Sequence, residues 1–201
     1  MVIYGTEQVS PEVIKINSSA GLAFFIRTTY LKFVDSSKIV TNAEFLDQEE
    51  EDILEAGMSF AVESKAMGYL ARAEQCRFGL TQKLLKKGYK KNNIDIALDY
   101  LEQKNYLNDK RFADSWLATR QITSPEGRIK LLAELCSRGI SRDVSEQAIK
   151  DFFEITEEVD LARKCYAKCI RMRKSKEKTV LYLQNHGFSY SLIKKIMNEE
   201  E

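Results

Sequence analysis

The sequence predicts a mainly α protein: a tandem array of three three-helix, helix-turn-helix-like modules behind a small β-rich N-terminal segment. Three observations predict it. A short pattern ending in glycine occurs three times in the last two-thirds of the 201 residues. Only two prolines interrupt a chain that is 30% charged, a composition of helix-rich protein. The first 48 residues share nothing of the pattern and carry short β-rich runs instead.

The copies are Leu80 to Tyr89, Leu131 to Ile140 and Thr179 to Phe188. Each has a leucine four residues before its glycine: Leu84 before Gly88, Leu135 before Gly139, Leu183 before Gly187. A basic or imidazole side chain stands just before the glycine (Lys87, Arg138, His186) and an apolar one just after it (Tyr89, Ile140, Phe188). The likeness continues at Ala97-Leu98, Ala148-Ile149 and Ile196-Met197, and upstream at Arg77, Arg128 and Lys176. Apolar residues at helical spacing make a buried face, and the glycine supplies a left-handed helix end that a Cβ resists. A second helix then follows, with Ser141 and Ser189 as N-caps in two of the copies. The glycines recur about every 50 residues, a period of stacked units rather than one large core. A two-helix hairpin fills half of that period, and helical sequence fills the rest.

Taken in order, Val13–Ile16 and Leu22–Ile26 read as strands around the turn Asn17–Gly21, and Tyr30–Val34 as a third strand. This segment, residues 1–48, is too small to stand alone and should pack on helices or a partner. The acidic run Asp47–Asp52 opens a linker helix, where carboxylates suit the N-terminal dipole. Residues 49–104 hold that linker helix and repeat one, with helices from Ser59 to about residue 74, near 77–87 and over 92–103. Repeat two, residues 105–154, starts at the capping pair Asn108-Asp109 and carries Phe112, Ala113, Trp116 and Leu117 at helical spacing. Ser124-Pro125 are expected to start its middle helix, with serine as cap and proline in the first turn. Repeat three, residues 155–201, opens at Thr156-Glu157-Glu158, and its first helix runs to about Lys174 with an apolar stripe of Leu161, Cys165, Cys169 and Met172.

The net charge of +1 hides a polarity. Residues 1–62 hold four Lys or Arg against ten Asp or Glu, a net of −6, which leaves +7 for the helical body. A basic body implies something negative to meet. Two dense regions stand out. Between residues 161 and 178, Arg163, Lys164, Lys168, Arg171, Arg173, Lys174, Lys176 and Lys178 are opposed by Glu177 alone. Arg72, Arg77, Lys83, Lys86, Lys87, Lys90 and Lys91 are opposed by Glu74 alone between 72 and 91.

Chemistry is sparse by comparison. Cys165 and Cys169 lie one turn apart but have no second close pair, so they read as core thiols rather than zinc ligands. His186, the only histidine, sits where an imidazole meets the end carbonyls of a helix. No phosphate loop, nucleophile elbow or HExxH pattern occurs, and Asp109 reads as a helix-start residue. The chain is therefore expected to be neither an enzyme nor a cofactor binder. The four cysteines are expected to be reduced, and the absence of a long apolar run or leader pattern points to a cytoplasmic protein without membrane contact. Tyr106, Phe112 and Trp116 could stack on bases, but their helical spacing argues first for a core.

In the second repeat the residues resemble a known family. Tyr106-Leu107-Asn108-Asp109-Lys110-Arg111-Phe112-Ala113, with Arg120 closing the helix, then Arg128-Ile129 to Leu135 and Arg138-Gly139-Ile140, are similar to the signature of the RecX family of bacterial recombinase regulators. Leu70-Ala71-Arg72 resembles its leucine–alanine–arginine helix, and His186-Gly187-Phe188 its Gly-Phe ending. Departures are Gln75 to Gly79, where the family shows a serine and an acid, and His186 in place of a cation.

The resemblance implies a non-enzymatic regulator of homologous recombination and DNA repair. Such a monomer binds the RecA filament on single-stranded DNA, with weak direct DNA contact, and opposes filament growth, ATP hydrolysis and strand exchange. The cations expected at that interface are Arg72, Arg77, Lys86, Lys87, Arg111, Arg120, Arg128, Arg138, Lys168, Arg171 and Lys174. The competing reading is a helix-turn-helix regulator that reads duplex DNA. Its recognition helices would begin with Lys90-Lys91-Asn92-Asn93, Ser141-Arg142-Asp143 and Ser189-Tyr190-Ser191, which share no base-reading pattern. A scaffold using apolar faces is a third reading, marked by binding indifferent to salt.

Overall fold

The computed structural model describes residues 1–199, apart from the side chains of Gln121 and Thr123. Three strands, β1 (Ile3–Ser10), β2 (Val13–Ser18) and β3 (Gly21–Arg27), form an antiparallel meander in that order. Two short 3-10 turns follow, and then nine α-helices among the described residues: α1 (Asp47–Leu70), α2 (Arg77–Leu85), α3 (Lys91–Gln103), α4 (Asp109–Thr123), α5 (Arg128–Ser137), α6 (Arg142–Ile155), α7 (Glu158–Arg171), α8 (Lys176–Asn185) and α9 (Tyr190–Glu199). The protein is thus a tandem array of three-helix modules with a small N-terminal sheet. It divides into two compact units, residues 1–73 with 80–107, and residues 74–79 with Asn108 onward.

In the first unit, period-two alternation on β2 buries Ile14 and Ile16, and cross-strand pairing sets Ile26 beside Ile14. These side chains meet Ile53 and Ala56 of α1, so the sheet is closed on one face by a helix. β1 is an addition to the expected strands. Apart from Ile3 it is largely exposed and polar, so it carries no hydrophobic alternation that would announce it. The strand expected at Tyr30–Val34 does not form. The backbone N–H groups of Lys32, Phe33 and Val34 donate instead to the buried carboxylate of Asp52 at 2.8–3.0 Å, which removes them from any ladder.

The expected separation of a linker helix from the first helix of repeat one is also absent: α1 runs unbroken for 24 residues. Its N-terminal half serves the sheet, and its C-terminal half packs Val62 and Ala66 against Leu80, Leu84, Ile94 and Leu98. Two buried acids fix it. Besides Asp52, Glu63 takes two hydrogen bonds from Arg27 and one from Tyr30 Oη at 2.7 Å. Burial, then the bond to Glu63, push the Tyr30 hydroxyl well above the ordinary tyrosine range.

In the second unit, α4 to α9 share one continuous core running from Ala113 through Leu135 and Leu161 to Ile196. Repeats two and three bury one core between them, as stacked units do. Ser124-Pro125 do not start α5. Ser124 ends α4, with its N–H on the Arg120 carbonyl, and α5 begins at Arg128 behind Gly127. Thr156 likewise ends α6, and Met172 falls beyond α7 and is exposed. Ser141 caps α6 and Ser189 Oγ accepts the Leu192 N–H at 3.3 Å, as serine at these positions should.

Replacing Asp52 with alanine should strand three backbone donors and destabilise the first unit by about 2–3 kcal/mol. Urea unfolding with amide hydrogen exchange at Lys32–Val34 checks this. Unchanged protection there would show that the carboxylate does not hold the loop.

Candidate interaction surface

The site has to be built from the joint that repeats within the second unit. Asp109, in the first turn of α4, accepts the N–H of Arg77 at 2.7 Å, the first residue of α2. Glu158, in the first turn of α7, accepts the N–H of Arg128 at 3.0 Å, the first residue of α5, and the Arg128 Nε at the same distance. Each acid supplies an acceptor to a helix N-terminus whose donors have no partner within the helix. Beside this cap sits the glycine turn of the next middle helix. A Cβ on Gly139 would overlap Phe78, and one on Gly187 would overlap the backbone and Cβ of Lys130. The Arg138 carbonyl accepts from Cys76 Sγ at 3.4 Å, and the His186 carbonyl from the Gly127 N–H at 2.8 Å. The two joints share one plan, an acid at the helix start with a glycine turn beside it, but the first bridges through a thiol and the second through backbone. A Cβ on Gly88, at φ +85°, would meet nothing within 4 Å.

This construction sorts the eleven candidate cations. Arg111 pairs with Glu74 at 2.5 Å, and Arg128 pairs with Glu158 and lies 4.3 Å over the Phe153 ring. Arg120 binds Glu126 at 2.7 and 3.0 Å and reaches Glu134 at 3.3 Å. Arg138 donates to the Glu134 carbonyl at 2.7 Å. Arg120 and Arg138 also lie 5.8 and 4.5 Å from the centre of the Trp116 ring. Arg77 is held at its backbone by Asp109. These five arginines are built into the joints and their surroundings. By contrast Lys168, Arg171 and Lys174 form no ion pair among the described residues. Lys168 and Lys174 approach Tyr182 at 6.0 and 5.3 Å, and Tyr182 stacks on His186 at 4.1 Å. Arg72, Lys86 and Lys87 are exposed on the first unit.

Sequence reasoning missed Glu126, which is 2% exposed, and its second partner Lys130 at 2.7 Å. The signal available was the pair of four-residue spacings Glu126–Lys130 and Glu134–Arg138, each an acid one turn before a cation. Burial alone would raise the Glu126 carboxyl, but hydrogen bonds from Arg120 and Lys130 outweigh it and hold the group below the usual glutamate range. It also missed Tyr182, whose ring gathers the α7 lysines. His186 Nδ1 lies 2.8 Å from the Tyr182 carbonyl, which makes the imidazole part of its helix end. Burial pushes the Cys165 thiol up to about 11, an inert core thiol. Among the described residues no group of three or more His, Cys, Asp or Glu could hold a metal, and no helix is long and apolar enough to cross a membrane.

Fold and site together define a helical-repeat protein that offers a charged, aromatic-lined surface. Comparison with known proteins gives the class a family. A sequence model described as "RecX, second three-helix domain" matches residues 108–149. Regulatory protein RecX of Treponema pallidum is 32% identical over 141 residues, covering 70% of this chain and 86% of that one. The Clostridioides difficile protein of the same name is 26% identical over 203 residues, 98% of this chain and 95% of its own. A crystal structure of regulatory protein RecX superposes with a TM-score of 0.74 at 20% identity, covering 98% of both chains. That of RecX from Lactobacillus salivarius gives 0.62 at 24% identity, covering 71% of this chain and 96% of that one. The chain belongs to the RecX family of regulatory proteins.

Two predictions follow from the joint. Gly88→Ala meets only the left-handed backbone and should cost about 1 kcal/mol, whereas Gly187→Ala adds overlap with Lys130 and should cost roughly 1–3 kcal/mol more. Chemical denaturation of the two variants measures the difference, and equal costs would mean the close approach is relaxed. Glu126→Gln tests the buried carboxylate. With its native pKa depressed, Glu126 contributes stability fully above the unfolded value of about 4.3 and loses it as pH falls through the lower native value. The variant should be less stable at pH 7 and show a flatter acid limb, measured as thermal midpoint against pH.

Proposed function

We propose that this chain regulates the RecA recombinase by binding the RecA filament on single-stranded DNA, mostly opposing filament growth, ATP hydrolysis and strand exchange. The protein would act as a cytoplasmic monomer in homologous recombination and DNA repair, without catalysis of its own. The observation that carries this reading is the division of the cations within a RecX-family fold. Arg77, Arg111, Arg120, Arg128 and Arg138 hold the repeats in place, while Lys168 and Lys174 stand beside Tyr182 and, with Arg171, have no carboxylate partner among the described residues. An unneutralised cluster on a fixed helix end is a contact for a polyanion or an acidic protein groove, and attraction of that kind is salt-sensitive. Arg72, Lys86 and Lys87 extend the same role to the first unit. The internally paired arginines are positioning residues in this scheme.

The duplex-reading alternative gains nothing from the helix starts. Lys91 at the start of α3 pairs with Asp95, and Arg142 at the start of α6 pairs with Glu146 at 2.6 Å, so neither first turn presents an unpaired base-reading cation.

RecA ATP hydrolysis on single-stranded DNA, with this protein added to preassembled filaments below one molecule per protomer, tests the proposal. Progressive inhibition is expected, and Arg171→Glu with Lys174→Glu should weaken it about tenfold or more at low salt while the helical spectrum is retained. Unchanged inhibition by the double variant would remove the α7 end from the interface. An unchanged ATPase rate with folded protein, or tight binding to one duplex sequence, would overturn the function.

A further inference from the structure

The first unit carries a surface of opposite sign that the filament reading does not use. The outward face of α1 presents Asp47, Glu50, Glu51, Leu54, Met58 and Ala61, which recur at intervals of three and four and so lie along one side of the helix. At 1.5 Å per residue this face is about 21 Å long. With Phe24 of β3 it lines an open groove of about 640 Å³. Gly57 sets its depth: a Cβ there would stand 2.7 Å from the Phe24 ring, so only glycine lets the ring lie down against the helix. Leu54 and Met58 remain 36% and 42% exposed, a large apolar area for residues in mid-helix.

The rim is acidic. Glu55 is already occupied by Asn93 and by Lys90, which itself lines the groove, and Glu50 by the Met1 ammonium, so the free charge of the rim is that of Asp47 and Glu51. Asp47 and Glu51 are exposed and form no ion pair among the described residues. An apolar floor with carboxylates along its edge excludes nucleic acid and anionic lipid, whose phosphates the rim repels. It complements an amphipathic helix that sets leucine-like side chains on the floor and lysine or arginine over the rim. A methionine on the floor suits such a partner, because its unbranched thioether adapts to the incoming side chains.

We propose that the groove on α1 is a docking site for a cationic amphipathic helix of a partner protein. The site shares no residue with the proposed filament surface and is opposite to it in charge. It gives the acidic front of the chain a binding role beside its structural one.

The test uses the isotope-labelled full chain and a synthetic helical peptide with leucine on one face and lysine on the other. A control peptide carries glutamate in place of lysine. Amide shifts confined to Phe24 and residues 47–61 are expected with the lysine peptide and absent with the control. Met58→Asp and, separately, Glu51→Lys should each weaken that binding about tenfold. Both positions are solvent-facing, and a helical spectrum for Glu51→Lys keeps the test decisive if Met58→Asp fails to fold. Shifts spread over the whole surface, equal binding of the glutamate peptide, or affinity unmoved by both variants would overturn the proposal. So would shifts of the same amides on adding single-stranded oligonucleotide, or on raising the protein concentration alone, which would assign the groove to nucleic acid or to a second copy.

Discussion

The seating of a glycine turn against the start of the preceding middle helix is the constraint on which the second unit depends. Both partners at this joint have backbone groups that a helix cannot satisfy by itself. The N-terminus of α5 has an unfulfilled donor row, and glycine at its own cap position offers no side chain to meet it. The end of α8 has unfulfilled carbonyls. Bringing the two together pairs Gly127 N–H with the His186 carbonyl and Ile129 N–H with the Gly187 carbonyl, at 2.8 and 3.3 Å. Glu158 then closes the remaining donor at Arg128. Such close backbone approach is open only to a residue without a Cβ, which is why the glycine does two jobs at Gly139 and Gly187 and one at Gly88.

Charge follows from this geometry. A joint that places carboxylates at helix starts draws the nearby arginines inward, so Arg111, Arg120, Arg128 and Arg138 end in bidentate, stacked or bridging contacts. Arginine suits that role, since its planar fork binds a carboxylate and lies on an aromatic face at once. Of the three candidate cations left without an ion pair near the end of α7, two, Lys168 and Lys174, are lysines, flexible and strongly hydrated. A single sequence property, basicity, is thus split by the fold into an internal and an external use.

That split explains what was legible in the residues and what was not. The glycine turns, Leu84, Leu135 and Leu183 in the core, and the serine caps at Ser141 and Ser189 follow from local rules, and the structure has them. The family resemblance rests on the same local runs. The helix start at Ser124-Pro125 also obeys local rules, yet tertiary partners moved it: Glu126 is buried between Arg120 and Lys130, and that fixes the loop before α5. Asp109 reads as the start of its own helix and is that, but its carboxylate serves α2, thirty-two residues earlier. No spacing rule reaches so far. β1 was invisible because an exposed edge strand has little hydrophobic pattern to show, and the segment at Tyr30–Val34 had strand composition but gave its N–H groups to Asp52.

The middle helix of repeat three is capped differently from that of repeat two. α8 carries its own cap, Ser175 Oγ accepting the Lys178 N–H at 3.4 Å, where α5 borrows an acid from the next repeat. At each earlier joint a following repeat brings a carboxylate up to the cations at the helix start. Lys168, Arg171 and Lys174, by contrast, form no ion pair among the described residues. A charge the fold does not neutralise is one that a partner can.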